Sequence, residues 1–257
     1  MIRKYLAVLR SSIRTVVEYP HTTVASLLSL PLIVLIMTLL WSSFLNESYE
    51  KMFYYFLLSN GIFVPSTTWI WSASNGFVGF IKGRDNQNIP LTRPLNPFMF
   101  YIIKGLGKEL ISMLAAFGFV VLTLLLLNQI QMLIRVIITI PLVFLITVFI
   151  AAVVYLVTSF SYWVYSIWGI RALFVTLMFV FNGGNIPLWI LPDKFLDLIE
   201  ITPFPYLGYC PVMFIVNGEL YYYFLSIIML IVWSILFFGM GWMIHEKGWK
   251  KFEAFGG

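Results

Sequence analysis

The sequence is short of charge. Of its 257 residues only 11% are Asp, Glu, Lys or Arg, against 61% that are apolar, whereas a soluble domain carries about a quarter charged residues. With a mean hydropathy of +0.93, most of the surface must meet hydrocarbon, and no stretch is polar enough to form a soluble domain. Cysteine is nearly absent. The single Cys210 excludes an internal disulfide and any zinc site built on paired thiolates. The two histidines, His21 and His245, stand near opposite ends of the chain. Both fall at a membrane boundary, so a Ser–His pair inside the membrane is excluded, and no His-Glu-x-x-His spacing offers a zincin site. Gly105, Gly107 and Lys108 look like the end of a phosphate-binding loop, but Glu109 follows the lysine and no glycine stands five before Gly107. ATP is therefore not bound by that route. Charge is also missing from the interiors of the apolar segments, which argues against a proton-coupled carrier. Lys104, Lys108 and Glu109 lie close enough to one end of their segment to snorkel.

Long apolar runs are what the sequence has in abundance. Crossing a bilayer takes about 20 helical residues, and six segments qualify: 22–45, 52–80, 98–127, 134–160, 168–191 and 219–244. Pro31, Pro65 and Pro141 fall inside them, which membrane helices tolerate. The expected fold is an all-α integral membrane protein with six transmembrane helices. Residues 21–257 would form one membrane domain and residues 1–20 a separate helix. In that helix Ile2, Leu6, Leu9, Ile13 and Val16 recur at helical spacing, with Arg3, Arg10 and Arg14 on one flank. An apolar stripe beside a basic face predicts a helix lying in the membrane interface; a helix packed on the rest of the protein is the alternative. Some twenty residues of this kind precede the first apolar run, so the N-terminus does not read as a cleaved signal.

Loop charges set the orientation. With the N-terminus in the cytoplasm, thirteen of the sixteen Lys and Arg residues fall inside, and only Lys51, Arg135 and Lys194 outside. Both termini are then cytoplasmic. The net charge of +5 reflects this bias, and no nucleic-acid partner is expected.

Two connections stand out. Residues 81–97 form the longest polar stretch, on the inner side, and residues 188–218 form a long outer connection with Pro192, Pro203, Pro205 and Pro211 and the acidic trio Asp193, Asp197 and Glu200. Residues 194–201 read as a short helix at the outer interface. Just before them, Gly183, Gly184 and Pro187 break the fifth segment, either as backbone turning back toward the membrane or as a surface loop. No internal repeat supports an inverted-repeat carrier. On the second segment Asn60, Thr67, Trp71, Ser74 and Asn75 project within about 100° of one another on a straight helix. They read either as the lining of a path or as helix–helix packing.

This arrangement resembles the permeases of type-2 ABC exporters, and more narrowly a bacterial subgroup in which two related six-span subunits accompany an ATPase. The residues that carry the likeness are Leu91-Thr92-Arg93-Pro94-Leu95-Asn96-Pro97 in the inner loop and Gly183-Gly184-Asn185-Ile186-Pro187-Leu188 in the outer hairpin. Pro192, Thr202-Pro203-Phe204, Tyr206, Pro211 and the tail Glu253-Ala254-Phe255-Gly256-Gly257 extend it. The resemblance implies a permease subunit in the bacterial cytoplasmic membrane that is not itself an enzyme. It would pair with a sister subunit more readily than with itself, and dock on a cytoplasmic ATP-binding cassette ATPase dimer that holds ATP and magnesium. The inner loop would form a cytoplasmic coupling helix, placing Arg84, Asp85, Leu91, Arg93 and Pro94 against the ATPase; the alternative is a solvated loop. The substrate path would follow Asn60, Thr67, Trp71, Ser74 and Asn75, with Phe179 and Asn182 near its outer end. An outer re-entrant hairpin would precede the sixth span. The substrate would be an amphipathic drug, a peptide or a lipid. The connection 161–170 is aromatic and nearly uncharged, a departure that puts a second ATPase contact there in doubt. A different class of function is an ATP-independent scaffold or channel subunit.

Overall fold

The computed structural model describes residues 2–82 and 95–250, and among these every regular element is helical. The helix α1 (Ile2–Glu18) carries the amphipathic pattern read above. Ser12 and Val16 are buried, Ser12 and Leu9 lie against Gly107 of the helix Pro97–Leu126, and Leu6 on the same stripe as Leu9 is 55% exposed. One edge of its apolar face therefore packs on the protein, and the other is exposed.

Helix α2 (His21–Leu45) is apolar all round, with Leu28, Leu32, Leu35, Ile36 and Leu39 exposed. That is the pattern of a helix bathed in hydrocarbon. It stops at Asn46, whose φ of 53° ends the helix in the left-handed conformation. Ser48 then caps the next helix by accepting from the Lys51 amide at 3.3 Å.

The segment expected as one span at 52–80 is divided. It runs as α3 (Tyr49–Leu58), a π-helical turn (Ser59–Phe63), α4 (Pro65–Thr68) and α5 (Ile70–Ile81). Pro65 causes the break, because it lacks an amide hydrogen and its ring collides with the carbonyl four residues back. The backbone widens just before it, and the Val64 amide reaches the Ser59 carbonyl, five residues back, at 2.9 Å. Ser66 donates to the Ile62 carbonyl at 2.7 Å and Trp69 to the Ser66 carbonyl at 3.0 Å, so side chains take up backbone groups around the break.

Beyond residue 95 follow α6 (Pro97–Leu126), α7 (Ile130–Ile138), α8 (Ile140–Ser159), α9 (Trp168–Phe181), α10 (Asp193–Glu200), α11 (Tyr209–Asn217) and α12 (Leu220–Trp249). Four stretches are long and apolar enough to cross a membrane: Thr23–Leu45, Pro97–Leu126, Ile140–Tyr162 and Leu220–Trp249; Trp168–Phe181 is a shorter apolar helix. Three expected boundaries are corrected. The fourth segment is not continuous from 134, because the helix breaks at Thr139 and restarts with Pro141 in its first turn, where proline is tolerated. The fifth ends at Phe181 rather than 191, since Gly183 takes φ 81° two residues on. The sixth continues to Trp249.

Small residues bring the helices together. Gly241 on α12 sits where a Cβ would lie 3.0 Å from the Leu156 amide of α8, and Gly105 on α6 where one would lie 2.9 Å from the Ala73 amide of α5. Gly107 meets Ser12 of α1 in the same way. These are close backbone approaches of the kind that hold membrane helices. α8 is the centre of the assembly, with Leu142, Ile146, Phe149, Ile150 and Val153 fully buried.

Candidate functional site

Helix α9 ends in Asn182-Gly183-Gly184-Asn185, and four consecutive carbonyls lose their helical partners there. Each is met by a donor from a different element. The Asn182 carbonyl accepts from the Tyr209 amide of α11 at 2.7 Å, and that of Gly183 from the Tyr55 hydroxyl of α3 at 2.7 Å. The Gly184 carbonyl accepts from Asn60 Nδ2 of the π turn at 3.1 Å, and the Asn185 carbonyl from Trp41 Nε1 of α2 at 2.9 Å. The Asn182 side chain accepts from the Gly184 amide at 2.7 Å. Irregular backbone that is buried survives only where it is satisfied in this way. Pro187, the third residue singled out in the hairpin, is buried just beyond the turn. Tyr55→Phe would leave the buried Gly183 carbonyl without a donor, a cost of about 2 kcal/mol. A lowered thermal unfolding midpoint of the purified protein checks this, and an unchanged midpoint would dissolve the importance of the bond.

The chain then runs through α10, one residue earlier than the expected 194–201, with Phe195 and Leu198 exposed and Ile199 buried. The Glu200 carboxyl is pushed above the usual carboxylate range, first by burial and then by Asp197 one turn away. Helix α11 is enclosed, its Cys210, Val212 and Ile215 having no exposed surface. Its end is capped from α7: Arg135 donates to the Ile215 and Val216 carbonyls at 2.9 and 3.1 Å, placing a cation at the negative end of the helix. Gly218, at φ 82°, makes room for that guanidinium.

The second segment's polar residues differ in exposure, and the π turn shifts Asn60 relative to the four that follow it. One extra residue per turn rotates everything after it by about 100° relative to a straight helix. Asn60, Thr67 and Ser74 are buried; Thr68, Trp71 and Asn75 are exposed, with Ser72 and Pro65 half-buried on the same side. Asn60 is buried and Asn75 exposed. Asn60 turns to the node, and Ser74 and Asn75 accept hydrogen bonds from Arg171 on the first turn of α9. The Arg171 guanidinium lies 4.3 Å from the centre of the Trp71 ring, and its Nε has no partner among the described residues. Sequence reading counted Arg171 only as an inner-side cation. A lone arginine at the head of an apolar helix is the signal that could have marked it. Beside Asn75, a half-open cleft of about 440 Å³ is lined by Ser72, Gly76, Tyr101, Lys104 and Lys108.

Of the remaining candidates, Phe179 is 58% exposed on α9, while Asn182 is buried in the node. Arg84, Asp85, Leu91, Arg93 and Pro94 lie outside the described residues, as does the tail 253–257. At the start of α6, Asn96 caps the helix by accepting from the Met99 amide at 3.1 Å and donates its own amide to the Tyr5 hydroxyl at 3.1 Å, tying α1 to the end of the inner loop.

No curated protein matches the chain. The family model described as ABC-2 family transporter protein matches residues 83–256. The matched stretch takes in most of the polar connection 81–97, the four carbonyls of the node, the enclosed α11 and the last long helix. Long apolar helices with one broken at a proline, polar residues turned inward and a match over well over half the chain agree: this multi-pass membrane protein belongs to the ABC-2 transporter family, as the permease subunit of a type-2 ABC transporter.

Proposed function

We propose that the chain is one half of an ATP-driven exporter, moving an amphipathic or hydrophobic cargo out of the cell with energy from a separate ATPase. The observation that carries this is the family match joined to a second segment whose break leaves a polar-aromatic face uncovered in the single chain. On this reading the six spans are α2, α3–α5 taken together, α6, α8, α9 and α12. Both ends lie in the cytoplasm, and α1 lies along the inner face. The path follows Thr68, Trp71, Ser72 and Asn75, with Phe179 toward its outer end. Asn60, Thr67, Ser74 and Asn182 form the wall behind it, and the Gly183–Pro187 hairpin closes it on the outside. A second six-span subunit, a sister chain rather than a copy, completes the path.

The ATPase dimer docks on the inner loop, where Arg93 can make paired hydrogen bonds with a carboxylate and Arg84, Asp85, Leu91 and Pro94 complete the contact. Arg93→Glu reverses the charge at that contact. It is expected to lower ATPase recovery about tenfold or more, the effect of losing a hot-spot residue, when the tagged protein is drawn from its own cells in mild detergent. An ATPase that co-purifies with wild type and is lost in the variant supports the exporter. A folded, paired protein that brings down no ATPase in either form points to a scaffold or channel.

A further inference from the structure

Lys104 and Lys108 stand one turn apart on α6, about 6 Å along the axis, on the face left open between α1 and α5. On one side lies the cleft toward α5 described above. On the other, between α6 and α1, is a half-open groove of about 600 Å³ with Lys4, Ser11 and Thr15 from α1 and Phe100 from α6. The same two lysines line both hollows. Among the described residues the ion pairs are Arg14–Glu18 and Lys51–Glu47, so none of the three lysines is held by a carboxylate there; Lys104 lies over the Phe100 and Tyr101 rings, 5.7 and 5.6 Å from their centres. Glu109, next to Lys108 in the chain, is close enough to feel its charge but lines a different hollow with Ser26, Asn60 and Ser112. The floor of the groove is apolar, with Val8, Leu95 and Phe100, and Leu6 and Val17 of α1 stand exposed on the protein's surface.

We propose that this groove binds an anionic glycerophospholipid of the surrounding membrane, its phosphate held by Lys4, Lys104 and Lys108. Three cations with hydroxyls at hand suit a phosphate, and basic hollows between membrane helices at the interface take such headgroups. The apolar floor suits the glycerol and first methylenes of a lipid, which a free phosphate would leave bare. The groove opens on the α1 side of Lys104 and Lys108, while Ser72 and Asn75 of the proposed path lie on their α5 side; lipid binding does not need the exporter reading. Only the leaflet, the cytoplasmic one, rests on the orientation proposed above.

The test is native mass spectrometry of the full-length protein in detergent, titrated separately with phosphatidylglycerol and phosphatidylcholine. Phosphatidylglycerol should bind in preference, and each lysine-to-glutamine change should weaken it about fivefold, the worth of one basic residue at an anionic surface. K104Q/K108Q should therefore lose well over tenfold, with phosphatidylcholine unchanged and K104R/K108R retaining the lipid. R3Q/R10Q removes the same charge from the far flank of α1 and should leave binding as it was. Equal losses in R3Q/R10Q and K104Q/K108Q would mean diffuse surface charge and overturn the site, as would undiminished binding to K104Q/K108Q. Displacement of the lipid by millimolar inorganic phosphate would make it a phosphate site instead. Should the double variant fail to fold, Lys4→Gln on α1 decides by itself, and lipid bound as tightly as in wild type refutes the proposal. A pull-down that finds no ATPase leaves each of these results standing.

Discussion

Gly183→Val is expected to cost the fold about 4 kcal/mol, the sum of three effects that meet at one atom. Gly183 has φ 81°, where an L side chain costs about 1–2 kcal/mol. A Cβ there would lie 2.7 Å from the Tyr55 hydroxyl and 2.8 Å from Tyr209 Cβ, and overpacking of that kind costs about 1–3 kcal/mol. Moving Tyr55 aside also breaks its bond to the Gly183 carbonyl, worth about 1 kcal/mol. The measurement is thermal unfolding in detergent followed by size exclusion, where the folded peak should shrink and its midpoint fall well below that of wild type. Gly184→Ala separates the causes. Its neighbours are as close, with Val64 Cγ2 at 2.7 Å, but its backbone is not left-handed, so it should cost less. Equal midpoints for Gly183→Val and wild type would mean that the node is open in the folded protein.

Gly105→Leu is the second large effect. A Cβ at Gly105 would lie 2.8 Å from Ala73 Cβ and 2.9 Å from the Ala73 amide. The obstacle is backbone, which cannot swing away, so α5 must leave α6. About 3 kcal/mol is expected from overpacking alone, and more where contacts along α5 are lost with it. The damage spreads, because α5 carries Trp71, Ser74 and Asn75, the three partners of Arg171. Gly118, on the same helix with no atom within 4 Å of its Cβ position, is the control. Gly118→Ala should be neutral or gain up to about 1 kcal/mol from helix propensity. Comparable folded yields for the two variants would refute the close contact between α5 and α6.

The sequence made some of this legible and not the rest, for reasons that lie in the bilayer. The extent of α1 could be read because it is amphipathic against water on one side, and its stripe has a phase. Gly183 and Pro187 announced the end of a helix through backbone chemistry, independent of surroundings. The long helices could be placed to within a few residues but not rotated. A helix such as α12 is apolar toward lipid and toward protein alike, so periodicity does not tell a buried Leu230 from an exposed Ile235. On the stripe from Asn60 to Asn75 the π turn shifts Asn60 relative to Thr67, Trp71, Ser74 and Asn75, which all follow it. A proline inside a membrane helix can be absorbed as a kink or as an extra residue, and only the second changes which side chains share a face. The partnership of Arg171 with Asn75 joins residues 96 apart in the chain, and no local pattern encodes it. The fifth segment was drawn too long because Leu188, Trp189, Ile190 and Leu191 are as apolar as a span, although they belong to a turn and the stretch after it.

The carbonyl node also sets how cooperatively its turn can come away from its neighbours. Four bonds that each contribute about 1 kcal/mol are made by one short turn to four separate elements, so parting that turn from its neighbours breaks them together rather than in succession. Opening that costs about 4 kcal/mol leaves roughly one molecule in a thousand ajar at rest. On the proposed exporter reading, any work that opens this turn has to arrive as a single stroke.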